Sequence, residues 1–153
     1  MSQEFQVKGL SELLQRMTAF PVELTKSVAI TMAASLNTFW ENVPPYPQQD
    51  PQSKYRRTGT LGRSLGSDVG GGASGGKPGI YNIRKLGEAN FQGEFGTNLE
   101  YAEYVIGEGT QAGMHSSNWW TIKTVAERAA DKVERLWEAL GEKLAQFLES
   151  KGQ

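Results

Sequence analysis

Apolar residues recur every three or four positions in the first third of the chain, and this spacing predicts helices. A first stripe runs from Val7 to Met17. Pro21 follows and suits the first residue of a second helix. The apolar stripe of that helix consists of Leu24, Val28, Met32, Leu36, Phe39 and Val43. We therefore expect N-terminal helices over residues 1–43, ended by a proline-rich loop over 44–57 because proline cannot continue a helix.

The last third carries the strongest helical pattern, which predicts a long helix over residues 117–150. Its apolar stripe is Ile122, Val125, Ala126, Ala129, Val133, Leu136, Trp137, Leu140, Leu144, Phe147 and Leu148. Thr121 or Ser117 is expected to cap its start. A helix of about 30 residues is roughly 45 Å long. That exceeds what the core of such a domain needs, so part of the helix is expected to pack on a neighbouring subunit.

The middle of the chain, residues 58–110, predicts strands. The strand-like runs are TGTLGRSLGSDV, GIYNIRKL, NFQGEFGT and EYAEYVI. Between the first two, Gly70–Gly79 is predicted to be a flexible hairpin tip, disordered in an isolated subunit. The predicted fold class is α+β in a single domain, 1–153. N-terminal helices and a long C-terminal helix pack on a small antiparallel sheet of three to five strands with a long glycine-rich loop.

Composition narrows the functional classes. The 153 residues suit one domain, and the net charge of −1 is unlike that of a protein that coats DNA. The chain has no cysteine, which excludes disulfides and thiolate chemistry. The N-terminus lacks a signal-peptide pattern, and no run approaches the roughly 20 apolar residues of a membrane span. A soluble chain of cytoplasmic type, without a membrane partner, is expected.

The glycine tract contains partial matches to phosphate-binding loops. Such a loop needs a helix after it and a hydroxyl for magnesium. Here Pro78 occupies the hydroxyl position, and the residues that follow are strand-like. The tract is interpreted as a loop, and no nucleotide or other cofactor is predicted.

Candidate catalytic groups are sparse. His115 is the only histidine, and the adjacent Ser116 lacks the surroundings of a nucleophile elbow. A carboxylate metal site built from Glu100, Glu103 and Glu108 stays formally open, although a solvated edge is the commoner use of such residues. No catalytic residue and no metal ligand is assigned, and the chain is not expected to be an enzyme.

Two further groups indicate contacts with protein. Lys54 to Arg57 form the only dense basic cluster, for which a protein contact is favoured over nucleic acid because three charges bind DNA weakly. Trp119 and Trp120 are adjacent, so both cannot face inward on a regular element, and one is expected at an interface.

Two motifs and their order resemble a known family. Thr58–Leu65 reads TGTLGRSL, and Tyr101–Thr110 reads YAEYVIGEGT, with amphipathic helices before and after them. This arrangement resembles the tail-component family of long-tailed double-stranded DNA bacteriophages, whose hallmarks are TG-x-L-R-x-S-I and YA-x-YVE-x-GT. Gly62 stands where the family commonly has arginine or lysine, and YVIGEGT is one residue longer than the usual form. A related prophage variant, YV-x-G-x-x-Q…H…W, is matched by Gln111, His115 and Trp120.

The resemblance implies a structural virion protein, assembled in the bacterial cytoplasm and located in the tail or neck. It implies a homo-oligomeric ring of six subunits between the head connector or stopper and the tail tube, through which genomic DNA passes without sequence recognition. A tail terminator that caps the tube is the alternative; a small hydrolase and a DNA-binding module are weaker ones. The predicted interface residues are Lys54, Tyr55, Arg56, Arg57, Arg63, Tyr101, Tyr104, Glu108, His115 and Trp119.

Overall fold

The computed structural model describes residues 2–5, 21–54, 57–67, 70–87 and 90–151. The predicted first helix, Val7 to Met17, lies outside the described residues, as do Tyr55 and Arg56. In chain order the elements are β1 (Ser2–Phe5), α1 (Pro21–Glu41), α2 (Thr60–Ser64), β2 (Ile80–Lys85), β3 (Phe91–Gly96), α3 (Ala102–Ile106), α4 (Gly113–Ser116) and α5 (Ile122–Lys151). The α+β class is confirmed.

Helix α1 begins at Pro21, as the sequence predicts. All members of its predicted apolar stripe are buried: Leu24, Val28, Met32, Leu36, Phe39 and Val43. Three hydroxyl groups of α1 bond to the backbone of the same helix. The hydroxyls of Thr31, Ser35 and Thr38 each donate to the carbonyl oxygen four residues earlier. A buried hydroxyl therefore costs this helix little.

The three strands form one antiparallel sheet in the order β1–β3–β2. Phe95 of β3 pairs with Tyr81 on one side and Gln3 on the other. Side chains alternate between the faces of a strand, so Phe91 and Phe95 share the face that packs against the helices. On the opposite face Arg84 and Glu94 form an ion pair of 2.5 Å. The small antiparallel sheet thus matches the prediction at its lower limit of three strands.

Two predicted strands are helices. Within TGTLGRSL, residues 60–64 form α2, and within EYAEYVI, residues 102–106 form α3. Leu61 and Leu65 are both buried, as are Ala102 and Ile106. A spacing of four residues places each pair on one helical face, and burial of those faces outweighs the local strand preference of Tyr101, Tyr104 and Val105.

The glycine-rich segment is not a hairpin tip, because it connects α2 to β2. The strands β2 and β3 form the hairpin instead, and beyond their ends the Leu86 amide donates to the Asn90 carbonyl at 2.7 Å. The amide of Gly72 donates to the Val43 carbonyl at 2.8 Å, and that of Gly75 donates to the Gly66 carbonyl at 3.1 Å. Disorder of this segment in an isolated subunit stays a prediction, and these hydrogen bonds weigh against it.

Helix α5 packs along α1 and completes the core. Ile122, Val125 and Ala129 join one buried cluster, while Leu140 and Leu144 join a second one with residues of α1. The Trp137 indole N–H donates to the buried Ser35 hydroxyl at 3.0 Å. Much of the predicted stripe is thus used within the subunit. Contact of α5 with a neighbouring subunit stays a prediction. Within the described part of the chain, no helix has the length and apolar character needed to cross a membrane.

Candidate protein interface

The predicted interface residues lie mainly in two parts of the chain, one just before and within α2 and the other between β3 and α5. Lys54, Arg63, Tyr101, Tyr104 and Glu108 are exposed, while Arg57, His115 and Trp119 are half-buried. The structure places two of the eight, Arg57 and Trp119, in one aromatic cluster. Tyr101 and Tyr104 form part of a second surface.

The aromatic cluster consists of Tyr46, Arg57, Trp119 and Trp120. The rings of Tyr46 and Trp119 meet edge to face with centroids 5.4 Å apart. The Arg57 guanidinium lies 5.2 Å from the centre of the Trp119 ring and donates to the Pro47 carbonyl. The Trp120 indole N–H donates to the Pro45 carbonyl at 3.2 Å. Both tryptophans are therefore half-buried against the proline-rich loop, and cation–π attraction fixes Arg57 there.

Tyr46 was missed by the sequence analysis, although an aromatic residue between prolines is an available signal for a packed loop. Its hydroxyl accepts a hydrogen bond from the Gly62 amide of α2. A Cβ atom added at Gly62 would lie 2.6 Å from the Tyr46 ring. The arginine or lysine that is common at this position in the resembling family would therefore require the Tyr46 ring to move. Nearby, Arg63 Nη2 donates to the Thr58 carbonyl at 2.9 Å.

The second surface, here called the acidic aromatic surface, consists of Glu100, Tyr101, Glu103, Tyr104 and Met114. Because α3 buries Ala102 and Ile106, Glu103 and Tyr104 project outward. Tyr104 is 55% exposed and Met114 78% exposed. The Ala112 amide donates to the Tyr104 carbonyl at 2.8 Å, which holds α4 beside α3. Large apolar side chains left open to solvent in this way are typical of interaction sites.

The Glu108 side chain interacts with residues at the start of α5. Its carboxylate accepts from the Thr121 hydroxyl at 3.2 Å and lies 3.7 Å from the Lys123 ammonium. A carboxylate near a helix N-terminus also interacts favourably with the helix dipole. The helix begins at Ile122, so Thr121 rather than Ser117 is the adjacent residue. Glu108 thus has a structural use within the subunit.

The loop from α3 to α5 is closed by Gln111, whose amide donates to the Val105 carbonyl at 2.7 Å and to the Trp119 carbonyl at 3.1 Å. His115 lies half-buried in α4, and its carbonyl accepts from the Trp119 amide at 2.8 Å. Among the described residues, no group of three or more histidine, aspartate or glutamate side chains could hold a metal ion. The geometry around His115 therefore holds a loop rather than assembling reactive groups.

A shallow apolar depression lies beside the aromatic cluster, between the proline-rich loop and α2. It is lined by Val43, Pro44, Tyr46, Leu61, Gly62, Leu65, Ser67, Trp119 and Trp120. None of these side chains is ionised at neutral pH. The depression contributes to a surface for contact, and the one titratable side chain in its lining is the Tyr46 phenol, which stays protonated at neutral pH.

Comparison of the chain with known protein families, curated proteins and solved structures found no match in any of the three. The resemblance to phage tail components therefore stays a prediction that depends on the quoted motifs. The structure adds the fold and the surfaces on which a functional proposal can be built.

Two half-buried tyrosines, Tyr46 beside α2 and Tyr81 of β2, predict a loss of stability at high pH. Burial raises the pKa of Tyr46 and of Tyr81 above the ordinary value of 10.0. Above pH 10 the unfolded chain loses these phenol protons before the folded chain does, so the free energy of unfolding falls as pH rises. We expect the combined substitution Tyr46→Phe and Tyr81→Phe to flatten this decline.

Urea denaturation at several pH values between about 8 and about 11 measures that slope. The substitutions also remove the hydrogen bonds to Gly62 and Asn37, which lowers stability by about 1 kcal/mol each at every pH. Loss of the hydrogen bonds lowers the free energy of unfolding equally at every pH, whereas loss of the phenols changes how steeply it falls with pH, so the slope distinguishes them. An unchanged slope in the double variant would show that these phenols do not titrate with folding.

Proposed function

We propose that this protein is a structural virion component of a tailed phage or prophage, a tail-completion or neck subunit that forms a ring. The observation that supports this is the packing of the two motifs that carry the resemblance. Leu61 and Leu65 of the first motif lie in the same buried cluster as Ala102 and Ile106 of the second. The Ser64 hydroxyl of the first motif also lies 2.6 Å from the hydroxyl of Thr97, a residue that follows β3 and precedes the second motif. The two motifs thus pack against each other in one buried cluster, as the segments of a single structural unit would.

Residues within and next to these motifs suit contact with protein. Tyrosine, tryptophan, methionine and arginine are enriched at protein interfaces. Tyr101, Tyr104 and Met114 are exposed, and Arg57 and Trp119 lie at the margin of the core. Both sets surround the loops between elements, where a rigid scaffold commonly presents binding residues.

The mechanism of such a protein is geometric. Identical subunits bury different surfaces against each other, and a rotation that closes yields a ring. In the proposed neck, six subunits join the head connector or stopper to the tail tube and leave a channel for DNA. The net charge of −1 suits passage of DNA without tight binding, because affinity for phosphates requires clustered basic residues.

Deletion of the gene from the phage or prophage that encodes the chain tests the proposal. Electron microscopy of the lysate is expected to show filled heads and separate tails of normal length. Addition of the purified protein should then join heads to tails and restore infectivity. Tails of irregular length would instead indicate the alternative function, a terminator that caps the tube. Normal infectious particles from the deletion would overturn both.

His115 distinguishes a structural role from hydrolysis. We expect His115→Ala to retain full activity in the head–tail joining reaction, because the His115 contact within the loop is made by its backbone carbonyl. The measurement is the titre restored by a fixed amount of each protein, with wild-type protein as the reference. A loss of more than about tenfold in titre, with unchanged thermal stability and unchanged mass of the assembled ring, would favour a chemical role for the imidazole over its predicted place in an interface.

The DNA-binding alternative depends on the basic cluster. Arg57 already contacts the Trp119 ring and the Pro47 carbonyl, which leaves fewer positive charges for phosphates. Absence of DNA binding at low salt would exclude this function, since contacts with phosphate strengthen as salt is removed.

A further inference from the structure

Another exposed surface, different from the acidic aromatic surface and not identified by the sequence analysis, lies along the β2 edge of the domain. It is here called the basic apolar surface and consists of Val22, Lys26, Ile30, Ile83 and Lys85. Val22 is 76% exposed and Ile30 is 59% exposed. Both residues are large and apolar, and they project from the same side of a helix whose other side is buried.

Helix periodicity and strand register bring these residues together. Val22, Lys26 and Ile30 are spaced by four residues and therefore share one face of α1. Ile83 and Lys85 lie on the same face of β2 as Tyr81, because every second residue of a strand points to the same side. The Tyr81 hydroxyl donates to the Asn37 side chain at 2.5 Å and lies 3.4 Å from the Ala33 carbonyl.

That contact sets α1 against the β2 edge. Phe95, which pairs with Tyr81, stacks on Phe39, and Phe91, which pairs with Lys85, packs near Leu24 and Val28. The N-terminal half of α1 therefore lies level with Ile83 and Lys85.

The charge on this surface is positive. Lys26 and Lys85 are exposed, and the Lys77 ammonium lies 5.7 Å from the centre of the Tyr81 ring at the same edge. Arg84 points to the opposite face of the sheet, where it pairs with Glu94. The described charged side chains on the surface are thus lysines around exposed valine and isoleucine.

The acidic aromatic surface has the opposite charge and a similar apolar content. Glu100 and Glu103 are exposed beside Tyr101, Tyr104 and Met114, and the salt bridges found among the described residues involve neither carboxylate. This surface lies between the end of β3 and the start of α5, whereas the basic apolar surface follows the free edge of β2. The two are separate regions of one subunit.

We propose that the basic apolar surface of one copy of this chain docks on the acidic aromatic surface of the next copy. Contact of either surface with itself would bring like charges together, which is unfavourable, whereas contact between the two is complementary. Pairing of two different surfaces is a heterologous contact, the type that generates rings. The inference rests on the proposed ring and identifies which surfaces form its repeated contact.

Charge reversal tests the pairing. One variant carries Lys26→Glu and Lys85→Glu, a second carries Glu100→Lys and Glu103→Lys, and a third combines all four substitutions. The mass of each is measured by light scattering at low salt, free in solution and bound to tails from the deletion lysate. Both two-site variants are expected to lose assembly and stay at the single-chain mass of 16.8 kDa. The combined variant is expected to regain the wild-type mass, because its reversed charges are again complementary.

The matched control reverses charges on the exposed side of α5. Arg128→Glu with Lys143→Glu, and Glu138→Lys with Glu142→Lys, are expected to assemble as wild type does, because the proposed contact uses two other surfaces. Loss of assembly in these control variants would overturn the pairing as the sole repeated contact and would support the predicted packing of α5 on a neighbouring subunit. Circular dichroism of every variant establishes that each is folded. Assembly of either two-site surface variant at wild-type concentration, or failure of the combined variant to assemble, would overturn this pairing and leave the proposed function standing. A wild-type chain that stays single both free and on tails would overturn the ring as well.

Discussion

Replacing Phe95 by alanine is expected to lower the free energy of unfolding by about 3–5 kcal/mol, the usual cost of removing a buried aromatic ring. Phe95 is 1% exposed, and its ring stacks 6.4 Å from that of Phe39. It joins β3 to both α1 and α5 within one buried cluster. Domains of this size are stable by only about 5–15 kcal/mol in total. The substitution should therefore remove a large part of the stability of the fold.

The midpoint of urea denaturation, followed by circular dichroism, measures this loss. Tyr104→Ala is the matched control, because it removes an aromatic ring that is 55% exposed. Its expected effect lies within about 0.5 kcal/mol of zero. Equal losses in the two variants would show that Phe95 does not hold the sheet against the helices.

Replacing Gly66 by alanine is expected to cost about 2–5 kcal/mol, by two effects that add. Gly66 has φ of 71°, a left-handed conformation that costs a residue with a Cβ atom about 1–2 kcal/mol. The added methyl group would also overlap the Gly76 carbonyl oxygen and the Trp40 indole nitrogen. Overpacking of this kind typically costs a further 1–3 kcal/mol. The Trp40 indole donates to the Gly66 carbonyl at 2.6 Å, so relief by movement would break that bond.

Gly76→Ala separates the two effects. Gly76 has φ of 99°, yet a Cβ atom there would have no neighbour within 4 Å. Only the backbone strain, about 1–2 kcal/mol, is expected in that variant. The comparison uses the same denaturation midpoints. If both alanine variants lose the same free energy, the close approach of the Trp40 ring to Gly66 does not limit the residue at that position.

The long helices could be predicted from the sequence because helical periodicity is a local property. The apolar stripe of α1 needs only the spacing of its own residues, and every member is buried. Pro21 marked the first residue of the helix for an equally local reason. The two runs that do form the β2–β3 hairpin were likewise visible as strand-like segments bounded by turn residues.

The short elements could not be predicted in the same way. Five-residue segments such as α2 and α3 contain too few positions to separate helical from strand periodicity, and both were predicted as strands. Burial of Leu61 and Leu65 against distant residues decided the conformation. The strand β1 was missed for a related reason, because β3 supplies its hydrogen-bonding partner more than 80 residues away along the chain.

The same distinction between local sequence pattern and tertiary packing applies to the candidate surfaces. The sequence by itself determined which residue types were available, including the adjacent tryptophans, the tyrosines of the second motif and the absence of cysteine. Only the tertiary structure decided that Tyr46 joins the aromatic cluster, and that the Tyr81 hydroxyl of β2 meets the Asn37 side chain of α1. The physical reason is that periodicity fixes the face of one element. Which faces meet, and which stay open to solvent, depends on packing between elements that are far apart in the chain.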